Sequence, residues 1–213
     1  MSQQLFIPTT VLNLKRLFDI TCAGLGLLIL SPLFPLLALL IKLDSPGPVI
    51  FKQQRIGRVL DDRIEFFWMY KFRSMRNDAE KKSGPVWAQK NDPRVTRIGK
   101  ILRKTRLDEL PQLINILKGD MSLVGPRPER PGLYPQLEKE IPYFTERTYG
   151  IRPGVTGMAQ VFQGYTDTID QARDKVAFDH AYALSLLSAA SWIKMDLHVM
   201  WKTVAVVIFG RGQ

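Results

Sequence analysis

Between Ile20 and Ile41 the chain runs for 22 residues, ITCAGLGLLILSPLFPLLALLI, without one charged side chain. As a single helix this run would extend about 33 Å, against a bilayer hydrocarbon core of about 30 Å. It reads as a membrane segment. It is not an ordinary cleavable leader, because the apolar run is too long and no small-x-small cleavage site separates it from the polar part. Ser31-Pro32 and then Pro35 fall near its middle, where proline removes a backbone donor and pushes the preceding residue out of helical geometry. Lys15 and Arg16 precede the run and Lys42 follows it, so the positive-inside tendency places both flanks on the cytoplasmic side. Two readings remain: a helix–break–helix hairpin that enters one leaflet and returns, and a straight spanning helix with a tolerated proline kink. The prolines and the flanking charges favour the hairpin.

Asp44-Ser45-Pro46-Gly47-Pro48 stops this segment, so the sequence divides into residues 1–43, a tail plus the membrane segment, and residues 44–213, one integrated catalytic or binding unit. The net charge of +10 calls for an anionic partner: nucleic acid, a membrane surface or a phosphorylated substrate. Cys22 stands alone, which excludes an intrachain disulfide, and His180 and His198 are too isolated to suggest zinc. Val49–Gln54 and Ile64–Phe72 are rich in β-branched and aromatic residues around a polar turn and predict a β-hairpin. Lys71, Arg73 and Arg76 read first as solvated cations, and residues 77–92 as a mobile loop. From Asp92-Pro93 to about Thr105 a basic amphipathic helix is expected, suited to a protein surface or to lipid headgroups. The tail from Asp170 to Phe209 predicts two helices broken near Ser185–Ser191, with Trp192, Leu197, Trp201, Val204 and Ile208 as one apolar face. Trp192 and Trp201 suit either a core or a membrane interface.

The stretch from Arg103 to Pro131, RKTRLDELPQLINILKGDMSLVGPRPERP, holds the adjacent carboxylates Asp108 and Glu109 between two sets of arginines. Leu110, Leu113, Ile114 and Leu117 have the i, i+3, i+4, i+7 spacing of one helix face closed by Gly119, which would make Asp108 an N-cap with Pro111 in the first turn. Opposite charge and the helix dipole would then keep the pair ionised. Such a pair can hold a divalent metal or attack an electrophile, with arginines clamping phosphate oxygens; equally, Asp108 can be a plain cap and Glu109 the partner of a lysine. Gly125-Pro126-Arg127-Pro128-Glu129 forms a rigid turn that fixes Arg127. Arg152-Pro153-Gly154-Val155-Thr156-Gly157 is a loop able to bring Arg152 and backbone amides near an anion.

Taken together these residues resemble the bacterial sugar transferase family, the monotopic phosphoglycosyl transferases. The likeness runs through Lys15-Arg16-Leu17-Phe18-Asp19, Ser31-Pro32, Tyr70-Lys71-Phe72-Arg73-Ser74-Met75, Leu107-Asp108-Glu109-Leu110-Pro111-Gln112, Lys118-Gly119-Asp120-Met121-Ser122, Gly125-Pro126-Arg127-Pro128 and Arg152 to Gly157. It looks like the minimal form of the family, and Ser83 to Ala88 and Phe209 to Gly212 resemble its exopolysaccharide-type branch. Two positions depart from the pattern: Met158 where tryptophan is common, and Ser185 where Asp-x-x-Tyr-x-x-Asn ends in asparagine.

The resemblance implies an α+β fold with a re-entrant membrane hairpin broken at Ser31-Pro32, amphipathic interfacial helices and a small catalytic domain containing the β-hairpin. It implies transfer of sugar-1-phosphate from a UDP-sugar to polyprenol phosphate, with UMP released, at the bacterial inner membrane with the catalytic part facing the cytoplasm. By the same likeness Asp108 is the nucleophile that becomes phosphorylated by the sugar phosphate, and Glu109 assists it. Mg²⁺ is held in part through Asp108 and Glu109; Lys71, Arg103, Arg127 and Arg152 contact phosphate; Pro126, Arg127 and Pro128 lie by the nucleotide. A homodimer is compatible with the sequence. The rivals are a membrane-tethered binding protein for anionic lipid or nucleotide, which would not need Asp108 beside Glu109, and a nucleic-acid binder. The second lacks any recognised motif, and its aromatics do not interleave with the cations.

Overall fold

The computed structural model describes residues 7–77, 79, 92–163 and 169–208. The branch-like segments 83–88 and 209–212 lie outside these residues, as does most of the loop expected over 77–92. The fold is α+β. Helices α1 (Thr9–Leu30) and α2 (Leu33–Asp44) lead into strands β1 (Ile50–Val59) and β2 (Ile64–Phe72). Then follow α3 (Arg97–Lys104), α4 (Gln112–Lys118), β3 (Ser122–Val124), α5 (Tyr134–Glu140), β4 (Gly154–Thr156), α6 (Met158–Phe162), α7 (Ile169–Ser185) and α8 (Ala189–Ile208). Among the described residues there are two small sheets, the antiparallel β1–β2 hairpin and a parallel β3–β4 pair.

The break falls where the sequence places it: α1 ends at Leu30, α2 begins at Leu33, and their axes bend by 65°. Ser31 turns its hydroxyl back onto the Leu28 carbonyl at 2.8 Å, so the helix end next to Pro32 keeps a donor. No single described helix is long and apolar enough to cross a membrane, and only the bent pair reaches that combined length and hydropathy. Burial along α1 is inverted relative to an ordinary surface helix. Val11, Lys15, Asp19 and Ala23 form the buried stripe, while Leu14, Leu17, Ile20, Leu25, Leu28 and Ile29 are exposed. Two charges face inward because partners wait there: Lys15 Nζ lies 2.6 Å from Asp196 Oδ2 on α8, and Asp19 accepts from the Leu123 amide of β3 at 3.0 Å.

The hairpin is the expected one, paired from Ile50 with Phe72 to Val59 with Ile64, although β1 runs five residues further than its β-branched pattern suggests. Arg73, which follows β2, is not a solvated cation. It is 4% exposed and donates to the carbonyls of Ile41, Ser45 and Pro46, pinning the end of α2 to the hairpin. Below, Leu37 and Ile41 of α2 pack with Phe72 and Leu102. The largest apolar cluster joins both ends of the chain, with Val11 of α1, Val124 of β3, Tyr182 of α7 and Trp192 and Val199 of α8. The break between α7 and α8 is as expected, but the anticipated apolar face of α8 divides. Trp192 is core, whereas Leu197, Trp201 and Val204 are exposed and the buried line is Trp192, Asp196, Val199. On that buried line Asp196 meets Lys15 of α1, Tyr182 of α7 and Trp192 of α8 itself.

Candidate active site

Between α3 and α4 the chain takes a left-handed step at Arg106 (φ 57°) and enters a short 3-10 turn, Leu107–Glu109. Pro111 then occupies the position before α4, and no side chain caps that helix. Asp108 is therefore not the N-cap its spacing predicts. The left-handed residue redirects the chain so that both carboxylates turn inward, each 7% exposed. The apolar face expected on α4 is also displaced, since Gln112, Asn115 and Ile116 are buried while Ile114 and Leu117 are exposed. Asn115 explains the rotation. Its amide donates to the Trp68 carbonyl at 2.7 Å and accepts from the Tyr70 amide at 3.0 Å, stitching α4 to the edge of β2.

Glu109 and Asp108 have opposite environments. One Glu109 oxygen, Oε1, receives Lys71 Nζ at 2.9 Å and has Arg106 Nη1 and Arg127 Nη1 each at 3.7 Å. Burial works to raise its pKa, but Lys71, Arg127 and Arg106 outweigh burial and hold it at about 2. Asp108 is different: its Oδ1 is buried and has no hydrogen-bond partner among the described residues. Burial pushes its pKa up, with the adjacent Glu109 adding to the rise and the charges of Lys71, Arg103 and Arg106 opposing it. The sequence treats the two acids as one permanently ionised pair. In the fold one is a firmly held anion and the other a more basic carboxylate with an unoccupied oxygen.

Around them, Lys71 comes from β2 and Arg103 from the last turn of α3. Arg103 Nε donates to Ser74 Oγ at 2.9 Å, and α3 can lie this close to the post-β2 strand because position 99 is glycine: a Cβ there would sit 2.0 Å from the Ser74 carbonyl oxygen. Arg127 is carried by a loop whose carbonyls are fixed one after another. Gly154 N holds Pro126 O at 2.9 Å, Arg147 Nη2 holds Arg127 O at 3.0 Å, Arg55 Nη1 holds Pro128 O at 3.1 Å and Ile56 N holds Glu129 O at 3.0 Å. With prolines on both sides limiting φ, this loop is as rigid as its sequence suggests.

Arg152 stands elsewhere. Its Nε donates to the Gly119 carbonyl at 2.9 Å, and Arg16 donates to the Ile116 and Leu117 carbonyls, so the two arginines satisfy the C-terminal end of α4, the end away from the carboxylates. Of the glycine loop's amides, Gly154 N is taken up by the Pro126 carbonyl. Gly125 N donates to Thr156 O, and the backbones at Gly125 and Gly154 approach so closely that a Cβ on Gly154 would meet Gly125 N at 2.2 Å. These glycines exist to let β3 and β4 pack.

The sequence gives no sign of Arg55 or of the ionic array behind the site. Arg55 is buried on the core face of β1, where burial first and Arg127 second pull its pKa down to about 9. Strand alternation offers no signal for it, because Arg55, Ile56 and Gly57 are buried in succession. Arg147 pairs with Asp179 at 2.7 Å and lies 3.8 Å from Glu129, which Lys175 also approaches at 3.9 Å. Ser185, the departing residue of the later motif, donates to the Tyr182 carbonyl at 2.6 Å, while Tyr182 OH donates to Asp196 at 2.9 Å. That motif holds the scaffold and leaves the site alone; Met158 likewise packs on the core. No group of three potential metal ligands occurs among the described residues. Among the described carboxylates Asp108 alone has a buried oxygen without a hydrogen-bond partner, which fits a magnesium ion that takes its remaining ligands from water and substrate phosphate.

Comparison with known proteins matches residues 10–210 to the family described as bacterial sugar transferase. The chain is 44% identical, over 93% of its length, to the UDP-N-acetylgalactosamine-undecaprenyl-phosphate N-acetylgalactosaminephosphotransferase of Aeromonas hydrophila, and spans 44% of that protein. It is 46% identical over 91% of its length to the exopolysaccharide production protein PSS of Rhizobium leguminosarum bv. phaseoli, and spans 94% of it. Over 79% of its length it is 46% identical to the UDP-glucose:undecaprenyl-phosphate glucose-1-phosphate transferase of Escherichia coli (strain K12), of which it spans 36%.

Proposed function

The chain belongs to the bacterial sugar transferase family, and from that premise we propose that it transfers sugar-1-phosphate from a UDP-sugar to polyprenol phosphate and releases UMP. The relatives named for undecaprenyl-phosphate as acceptor support the reaction class, and one named for exopolysaccharide production supports the pathway type. The observation that carries the mechanism is the buried, unpartnered Oδ1 of Asp108 set among Lys71, Arg103 and Arg106.

In the first step an Asp108 oxygen attacks the phosphorus bearing the sugar. A P–O bond to the carboxylate forms, the P–O bond to UMP breaks, and the electron pair leaves on UMP. In the second, an oxygen of polyprenol phosphate attacks the same phosphorus and the bond to Asp108 breaks, which restores the carboxylate. The environment suits this division: a carboxylate of raised pKa is a better nucleophile than one held at about 2, and Glu109 is the one so held. Glu109 acts instead as the anchor that keeps Lys71, Arg106 and Arg127 converged, and these cations neutralise charge on the transferring phosphoryl group. Magnesium, when bound at Asp108 and the diphosphate, would mask diphosphate charge; Glu109, already engaged by three cations, is the weaker candidate of the two ligands. Pro126, Arg127 and Pro128 form the fixed wall suited to the nucleotide.

The α1–α2 pair is the membrane anchor in this reading, dipping into the cytoplasmic leaflet of the inner membrane and returning. The exposed Leu25, Leu28, Ile29, Leu36, Leu39 and Leu43 support this, because so many unpartnered leucines around a buried Lys and Asp suit lipid and not water. With the acceptor confined to the same surface, the search for it is two-dimensional.

The test is purified protein with Mg²⁺, undecaprenyl phosphate and a panel of UDP-sugars. At least one donor is expected to release UMP, and donor without acceptor should add one sugar phosphate to the protein mass. Asp108→Asn should abolish both signals. Turnover retained by that variant removes Asp108 as nucleophile.

A further inference from the structure

A cleft of about 120 Å³ opens beside Glu109 and Arg106 and runs between α4 and the last turns of α8. Its polar end is Arg106 with Glu109. The rest is apolar, chiefly Leu110 and Leu113 before and within α4, Val155 of β4, and Val206 and Val207 of α8. Thr156 and Thr203, two further lining residues, bond to each other at 2.7 Å, and Gln160, whose Oε1 is buried without a hydrogen-bond partner among the described residues, is the third polar side chain. The helices that border the cleft carry exposed apolar residues on their outer sides: Ile114 and Leu117 on α4, and Trp201 and Val204 on α8. An apolar slot that ends in a guanidinium beside the carboxylates and is bordered outside by apolar residues matches an amphiphile with an anionic head. The size is informative too, since apolar protein cavities of about 150 Å³ take up a six-carbon ring. A cleft of about 120 Å³ therefore suits a single five-carbon unit.

We infer that this cleft binds the first isoprene unit of the polyprenol phosphate acceptor, with Arg106 at the phosphate and α8 as its outer wall. This rests on the proposed transfer reaction and adds where the lipid enters. The acceptor comes in between α4 and α8, and α8 is a substrate-binding element although it begins at Ala189, far beyond Asp108 in the chain. The remainder of the prenyl chain leaves along the exposed Val204 and Trp201 into lipid.

Two measurements test it, and both separate this inference from the reaction itself. Val206→Trp fills the cleft without touching the donor side. It is expected to form the sugar-phosphate adduct from donor alone as wild type does, while its KM for undecaprenyl phosphate rises at least about tenfold. Normal adduct formation with an unchanged acceptor KM overturns the inference and leaves the reaction standing. Absence of an adduct in wild-type protein would instead sink the reaction. Because a tryptophan in this position can disturb folding, the wild-type protein is also crosslinked with a farnesyl phosphate that carries a diazirine on its first isoprene unit. Label in the peptides covering 110–113 and 199–208 supports the assignment, and label confined to α1 and α2 refutes it.

Discussion

At the scale of single residues, the site works by making two neighbouring carboxylates unlike. Glu109 is buried yet held at about 2 by three cations; Asp108, one residue away, is pushed up by burial and keeps a free oxygen. The consequence for pH follows from the signs. In the proposed reaction attack needs Asp108 ionised, so adduct formation should fall as pH drops through a pKa above the ordinary aspartate value. Lys71 is the strongest of the groups that hold this pKa down. Lys71→Met is therefore expected to move the acid limb of the pH profile for adduct formation to higher pH, and to slow the step by about 10²-fold through loss of a charge at the phosphoryl group. Single-turnover rates across the acid range read both effects; an acid limb that stays in place would mean that Lys71 does not act on Asp108.

At the scale of elements, most of what local chemistry dictates was legible and most of what tertiary contacts dictate was not. The hairpin, the Ser31-Pro32 break, the closure of α4 at Gly119 and the stiffness of Gly125 to Glu129 depend on residues adjacent in the chain, and the structure has them all. The rotation of α4 depends on Asn115 meeting a strand edge more than forty residues away. Nothing in the Arg152 loop reveals the Gly119 carbonyl that its side chain holds. Spacing alone makes Asp108 a cap because it does not register a left-handed arginine two residues before it. The candidate site was thus legible in its residue types and their order, but not in which carboxylate is free. The Arg147–Asp179 pair, invisible in the sequence, ties α7 to the Arg127 loop. Arg147→Met leaves Asp179 a buried charge without its partner, and should cost about 3–5 kcal/mol of stability. Urea unfolding in detergent measures this, and a loss below about 1 kcal/mol would show the array to be dispensable.

At the scale of the whole molecule, the bent pair α1–α2 decides how the protein meets its surroundings. If it re-enters the leaflet it came from, Thr10 and Arg63 lie on one side of the membrane. In a Cys22→Ser background, Thr10→Cys and Arg63→Cys should both resist an impermeant maleimide applied to intact cells and both react once the cells are opened. Reaction of Thr10→Cys from outside would mean a helix that crosses. The pairing of Lys15 with Asp196 bears on how such a protein is made. Some 180 residues separate Lys15 from Asp196, so if the bent pair enters lipid as proposed, its ammonium has only Asp19, 3.9 Å away on the same helix, for a partner until α8 has been made. That contact therefore waits for α8, and any product cut short before α8 is left with the longer Lys15–Asp19 pair alone and open to quality-control proteolysis.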